Sequence, residues 1–228
     1  MNLKESLIWD AHAGIFPSPE IDLDILEFWK KHSVNYLSIN VGFDVMSRDE
    51  TLATLAAYRR WLLAHPDQFL LAGTLSDIDN ARNTGRLAIS FDIEGINALA
   101  GDINMVEVYH SLGVRQMLFA YNLNNSAAGG CHDIDISLTK FGIEVLAEMN
   151  RVGMIVDASH VGYSSSMELI ERSCSPVVFS HSNPWSLWEH QRNIKDEQIK
   201  ACAEKGGVVG LNGLAIFIGE NDSSSEGL

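Results

Sequence analysis

Four short runs in this chain hold residues able to bind a divalent metal: Trp9-Asp10-Ala11-His12, Phe91-Asp92-Ile93-Glu94, Asp157-Ala158-Ser159-His160 and Phe179-Ser180-His181. Each puts a histidine or a carboxylate at the end of an apolar run. Three imidazoles and a carboxylate brought to one point can hold a transition metal, and a metal with an open position activates water for hydrolysis. His12, Glu94, His160 and His181 are therefore the expected metal ligands. A single histidine in such a place is more often a satisfied structural residue, so the reading rests on all four together. Glu94 has an alternative as a salt-bridge partner of Arg115 or Arg192, because a carboxylate is costly to bury unpaired.

The residues beside the ligands follow from strand geometry. Side chains two apart share a face, so Asp92 lies one layer below Glu94, and Asp10 stands in the same relation to His12. Both are expected to support ligands rather than bind metal. Asp157, three residues before His160, is expected to face the other way. Arg192, in Glu189-His190-Gln191-Arg192-Asn193, could grip a substrate carboxylate with two N–H donors, or stand solvated at the surface. Tyr121 and Asn122 end another strand-like run and could contact substrate or form an ordinary turn. Cys131 and His132 sit in a glycine-rich loop. His32, His65, His110 and His190 are read as surface or packing residues on helices or at helix ends.

The elements that must position these groups alternate in kind. Near-continuous apolar runs at 7–12, 34–41, 87–93, 114–121, 154–158, 177–180 and 208–211 read as strands buried on both faces, with 69–75 a weaker eighth. Helical patterns fill 23–31, 50–64, 103–112, 138–151, 164–173 and 196–205. Strand–helix repetition implies right-handed crossovers and a parallel sheet. An open doubly wound sheet would bind ligand at one switch point, and neither GxGxxG nor a Walker sequence is present. Ligands ending the first, third, fifth and sixth strong strands meet only if the sheet closes into a ring. The expected fold is α/β, a TIM-type (β/α)8 barrel. Residues 1–219 are expected to form one domain, and 220–228 a polar, serine-rich tail.

Composition sets limits. A chain of 228 residues, 46% apolar with a net charge of −14, suits one large domain and argues against nucleic-acid binding. The 3 cysteines form no disulfide framework or CxxC site. No run approaches a membrane span, and the first ten residues lack a secretion signal, so the expectation is cytoplasmic. Association into a homodimer stays open.

Gly153-Met154-Ile155-Val156-Asp157-Ala158-Ser159-His160, Pro176-Val177-Val178-Phe179-Ser180-His181-Ser182 and Arg192-Asn193, with Ile93-Glu94-Gly95 upstream, resemble the membrane (renal) dipeptidase family of zinc peptidases. The order and spacing match from about residue 7 to residue 219. The run Leu118-Phe119-Ala120-Tyr121-Asn122 through Gly129-Gly130-Cys131 resembles bacterial members. The resemblance implies a (β/α)8 barrel with one or two zinc ions and a dipeptide as substrate. In that pattern Glu94 bridges two metals, His12 binds one, His160 and His181 bind the other, and Arg192 holds the substrate carboxylate. Tyr121 stands where the family has a substrate-binding histidine.

Two features depart from the family. Its first motif is His-x-Asp, with both residues ligands, whereas here the sequence reads His12-Ala13-Gly14. The family also uses an aspartate at the last barrel strand, and this chain stops before such a strand. The expectation is that the last strand is missing and that the His160–His181 metal position is the stronger. A related amidohydrolase reaction on a lactone or N-acyl amino acid, and a metal- or ligand-binding barrel without turnover, are the competing functions. Manganese, iron or cobalt could replace zinc.

Overall fold

The fold is described from a computed structural model, which covers residues 6–219; the 220–228 tail lies outside the described residues. Seven parallel strands form one sheet: β1 (Trp9–Ala13), β2 (Tyr36–Phe43), β3 (Phe69–Leu71), β4 (Leu87–Glu94), β5 (Val114–Leu118), β6 (Ile155–Asp157) and β7 (Val177–Val178). Helices α1 (Glu27–Lys31), α2 (Arg48–Ala64), α3 (Leu75–Asn83), α4 (Met105–Leu112), α5 (Lys140–Val152), α6 (Tyr163–Arg172) and α7 (Asp196–Glu204) lie between them. Their ends follow local rules. Ser47 and Glu50 form a capping box at α2, and Thr139 caps α5, which ends on left-handed Gly153.

The sheet runs β1-β2-β4-β5-β6-β7, with β3 paired to the first half of β4. Its outward side chains pack under the helices. Leu37, Ile39, Leu87, Ile89, Phe91 and Ile93 are all fully buried, and each contributes about 1.5–3 kcal/mol. The inward face is polar, carrying Ser38, Asn40, Ser90, Asp92, Glu94, Gln116 and Asp157, all buried. Curvature is visible in one side chain. Gln116 Nε2 on β5 donates across the interior to the Ala11 carbonyl of β1 at 3.1 Å and to Asp157 Oδ2 of β6 at 3.0 Å.

This is a parallel α/β half-barrel of TIM type, as expected, with the last strand absent from the described residues. Three element readings need correction. Residues 208–211 make a single parallel bridge, Phe179 with Val209, and no named strand. The 69–75 run is a three-residue strand followed by α3, which the strand reading hid. A capping box between Thr74 and Asp77 starts that helix. Strands β6 and β7 stop at Asp157 and Val178, so His160 and His181 lie in the loops beyond them. Among the described residues no helix is long and apolar enough to cross a membrane.

Candidate metal centre

His12 is the fourth residue of β1, and Glu94 is the last of β4. The Glu94 carboxylate reaches all three histidines through one oxygen. Its Oε1 lies 3.1 Å from His160 Nε2, 3.4 Å from His181 Nε2 and 3.6 Å from His12 Nε2. The Nε2 atoms of His160 and His181 are 3.0 Å apart, and the His12 ring stacks on His181 with centroids 4.1 Å apart. His12, Glu94 and His181 each offer a ligand atom within 4.8 Å of the others. Neither arginine considered as an alternative partner takes Glu94. Arg115 donates to the His110, Val114 and Gly73 carbonyls, and Arg192 Nη2 donates to the His181 carbonyl at 3.0 Å.

The outer nitrogen of each ring is held by a different kind of group. His12 Nδ1 meets Asp92 Oδ1 at 3.1 Å, His160 Nδ1 meets Asn122 Oδ1 at 2.7 Å, and His181 Nδ1 meets Ser180 Oγ at 2.6 Å. A carboxylate or amide oxygen only accepts, so Nδ1 of His12 and of His160 must donate, and each of these rings, when neutral, turns an Nε2 lone pair inward; the Ser180 hydroxyl can donate or accept and fixes no tautomer at His181. Lone pairs facing a buried carboxylate repel unless a cation lies among them. For metal bonds of about 2.0–2.1 Å, tetrahedral geometry spaces neighbouring ligand atoms by ~3.3 Å. Four of the separations, 3.0 to 3.6 Å, fall around that value, and the group drawn together within 4.8 Å is His12, Glu94 and His181, with His160 beside Glu94 and His181. The donor set therefore fits a metal such as zinc.

Without metal the charges settle differently. Burial disfavours the His12 cation, yet Asp92 and Glu94 outweigh it and raise its pKa to about 10. Burial lowers His160 to about 4, with Arg192 adding to the effect, and drives His181 well below its ordinary value. Burial would raise Glu94, but His12 and the other two histidines hold it well below the usual carboxylate range.

Asp92 is fully buried and accepts from Ser38 Oγ at 2.7 Å and Asn40 Nδ2 at 3.0 Å as well as from His12. Asp10 meets the main chain of His12 and not its ring. It accepts the His12 backbone N–H at 3.2 Å and Trp29 Nε1 at 2.8 Å, tying α1 to β1. Asp157, expected to face away, is wholly buried beneath the site. Its Oδ1 accepts the backbone N–H groups of Ser159 and Ser180, at 2.9 and 3.2 Å, and so draws together the loops carrying His160 and His181. The sequence spacing misled because the strand stops at Asp157 and the chain turns sharply, with His160 at φ +66°.

A cleft of about 720 Å³ opens over these ligands, lined also by Asp10, Phe16, Tyr121, Asn122, His132, Arg192, Leu211 and Phe217. Tyr121 packs on His160 with centroids 4.6 Å apart. Asn122 lines the cleft, but its Oδ1 is committed to His160, so it orients a ligand where substrate contact was expected. Arg192 is 3% exposed, not solvated, and its Nε has no hydrogen-bond partner among the described residues. His190 lies in a loop, not on a helix; its Nδ1 accepts the Arg192 N–H at 3.1 Å, and its ring packs on Phe217. Cys131 faces a smaller neighbouring cavity, while His132 reaches the main cleft.

Comparison with known proteins places this site in a family. The membrane dipeptidase family (peptidase family M19) matches residues 10–226. An uncharacterized dipeptidase of Schizosaccharomyces pombe is 33% identical over 190 residues, which is 81% of this chain and 46% of that protein. Dipeptidase tcpJ of Claviceps purpurea is 29% identical, over 72% of this chain and 39% of its own. The crystal structure of an amidohydrolase from Pseudomonas aeruginosa superposes with a TM-score of 0.87 at 31% identity, covering 94% of this chain and 65% of that one. The chain thus spans less than half the length of these curated relatives. With most of its length matched, and with a strand and two loops gathering three histidines on one glutamate, the chain belongs to the membrane dipeptidase family, peptidase family M19.

Proposed function

We propose that this chain forms the catalytic barrel of a metal-dependent dipeptidase, with residues 1–219 as a single domain. One observation carries the reading: three Nε2 atoms converge on Glu94 Oε1 at an open cleft that Arg192 also lines. His12, Glu94, His160 and His181 would hold zinc, one ion or two. When bound, zinc supplies a water of lowered pKa and polarises the scissile carbonyl.

The remaining work falls to side chains of the cleft. Arg192 is buried with an unpartnered Nε and lines the cleft. A guanidinium so placed offers donors to the terminal carboxylate of a dipeptide and sets its direction. Tyr121 covers His160 and narrows the cleft on the substrate side. Phe16, Leu211 and Phe217 give it apolar walls that shed water around the amide. Glu94, ionised and pressed between the histidines, would serve the reaction by holding the ion at the floor of the cleft, since a carboxylate kept so far below its usual range is a weak proton acceptor.

The second reading, a metal-binding barrel without turnover, draws on Ala13 and Gly14. They supply no carboxylate beside His12, and Asp10 is engaged by Trp29. Removing metal with a chelator and restoring zinc separates the readings. Dipeptide hydrolysis should vanish and return with zinc. Hydrolysis of only N-acyl amino acids or lactones would move the substrate class, and zinc uptake without any turnover would favour the binding barrel.

A further inference from the structure

Asp44, one residue beyond β2, is tied to the ends of two other strands. Its backbone N–H donates to the Glu94 carbonyl at 2.9 Å. Its Oδ1 accepts the Asn97 N–H at 2.9 Å, and Asn97 Nδ2 donates to the Asp44 carbonyl at 3.0 Å. The turn leaving Glu94 is thus wrapped around one side chain. Gly95 makes this approach feasible. Its φ is +107°, and a Cβ there would stand 2.1 Å from Asp44 Cγ.

The other oxygen faces β5. Asp44 Oδ2 accepts the Tyr121 N–H at 3.1 Å and Asn125 Nδ2 at 2.8 Å. Asn125 also donates to the Phe119 carbonyl at 2.8 Å and accepts the N–H groups of Ala127 and Ala128, so it anchors the loop after β5. The Tyr121 ring is set between His160 and Phe43, the residue before Asp44. Asp44 itself does not line the cleft.

We propose that Asp44 is a positioning residue for the hydrolytic reaction: its carboxylate fixes the turn leaving Glu94 through the Asn97 N–H, beside its own backbone bond to the Glu94 carbonyl, and holds the Tyr121 backbone so that the ring lies over His160. The inference rests on the metal-hydrolase reading of the cleft. It predicts coupling between metal affinity and substrate handling through a side chain that touches neither.

Asp44→Asn tests it, because the amide keeps the shape but turns an NH2 toward N–H donors on one side or the other. Zinc affinity is measured by competition with a chromophoric chelator, alongside kcat and KM for a dipeptide and the melting temperature. Zinc affinity and kcat/KM should each fall about 10–100-fold, the usual effect of losing a group that supports a metal ligand. With Tyr121→Leu, which removes the ring over His160, the losses in kcat/KM should be non-additive. If Asp44→Asn does not fold, Asn125→Ala removes the side-chain donor that meets the same carboxylate and should still lower kcat/KM several-fold. Unchanged affinity and kcat with only a lower melting temperature would overturn the proposal. Zinc binding without dipeptide hydrolysis in the wild type would count against the function alone, since the affinity ratio still decides the role of Asp44. A wild type that takes up no zinc would overturn both.

Discussion

Glu94→Gln is expected to abolish metal retention and leave the fold standing. Glu94 Oε1 is the one atom that approaches all three histidine Nε2 atoms, and it carries the charge that balances a divalent ion. Glutamine keeps the volume, and its amide can donate to an imidazole lone pair, so the metal-free site remains hydrogen-bonded. A neutral amide is a poor ligand beside three neutral imidazoles. Zinc affinity should fall by at least about a thousandfold, or about 4 kcal/mol, with hydrolysis lost to match. The melting temperature of the metal-free variant should stay within a few degrees of wild type. Chelator competition and thermal melting on the same samples check this. Zinc affinity within tenfold of wild type would show that Glu94 is not the hub of the site.

Asp92→Asn should weaken the same centre by a different route. Asp92 is fully buried and accepts from Ser38, Asn40 and the His12 ring. An asparagine can keep Oδ1 toward Asn40 and His12 and turn its amide to the Ser38 hydroxyl, which can accept. The hydrogen bonds survive and the charge does not, so His12 becomes a less basic ligand. The expected loss is about 10–100-fold in zinc affinity with little change in stability. Asp92→Ala should instead destabilise the protein, because buried donors on Asn40 and His12 lose their acceptor at about 1–3 kcal/mol each. Equal zinc affinity in wild type and Asp92→Asn would mean that Asp92 serves packing alone.

The readable part of this site was the part built on strand periodicity. His12 and Glu94 stand on strands, and alternation placed Asp92 on the same inward face as Glu94. His160 and His181 were recognisable from composition around them, yet they lie three residues beyond their strands, where alternation no longer holds. Asp157 was misplaced for the same reason. Its role comes from two loop N–H groups that turn back onto it, and sequence separation does not report such a turn. Asp44 had no signal either, since the partners of its carboxylate lie 53 to 81 residues away. Asn122 and His160 both adopt positive φ, and neither is a glycine, so the tight pairing of their loops left no mark in the sequence. The α3 helix did leave one, in Thr74 and Asp77, which the extended reading of 69–75 passed over.

The most direct test of the account is elemental metal analysis of protein purified without chelator, for wild type and the His160→Ala/His181→Ala variant, with dipeptide hydrolysis assayed on the same samples. The account predicts about one or two metal ions per wild-type chain, lost together with hydrolysis in the double variant. A wild type that holds no metal even after zinc is restored, or a double variant that keeps its full metal content, would contradict it.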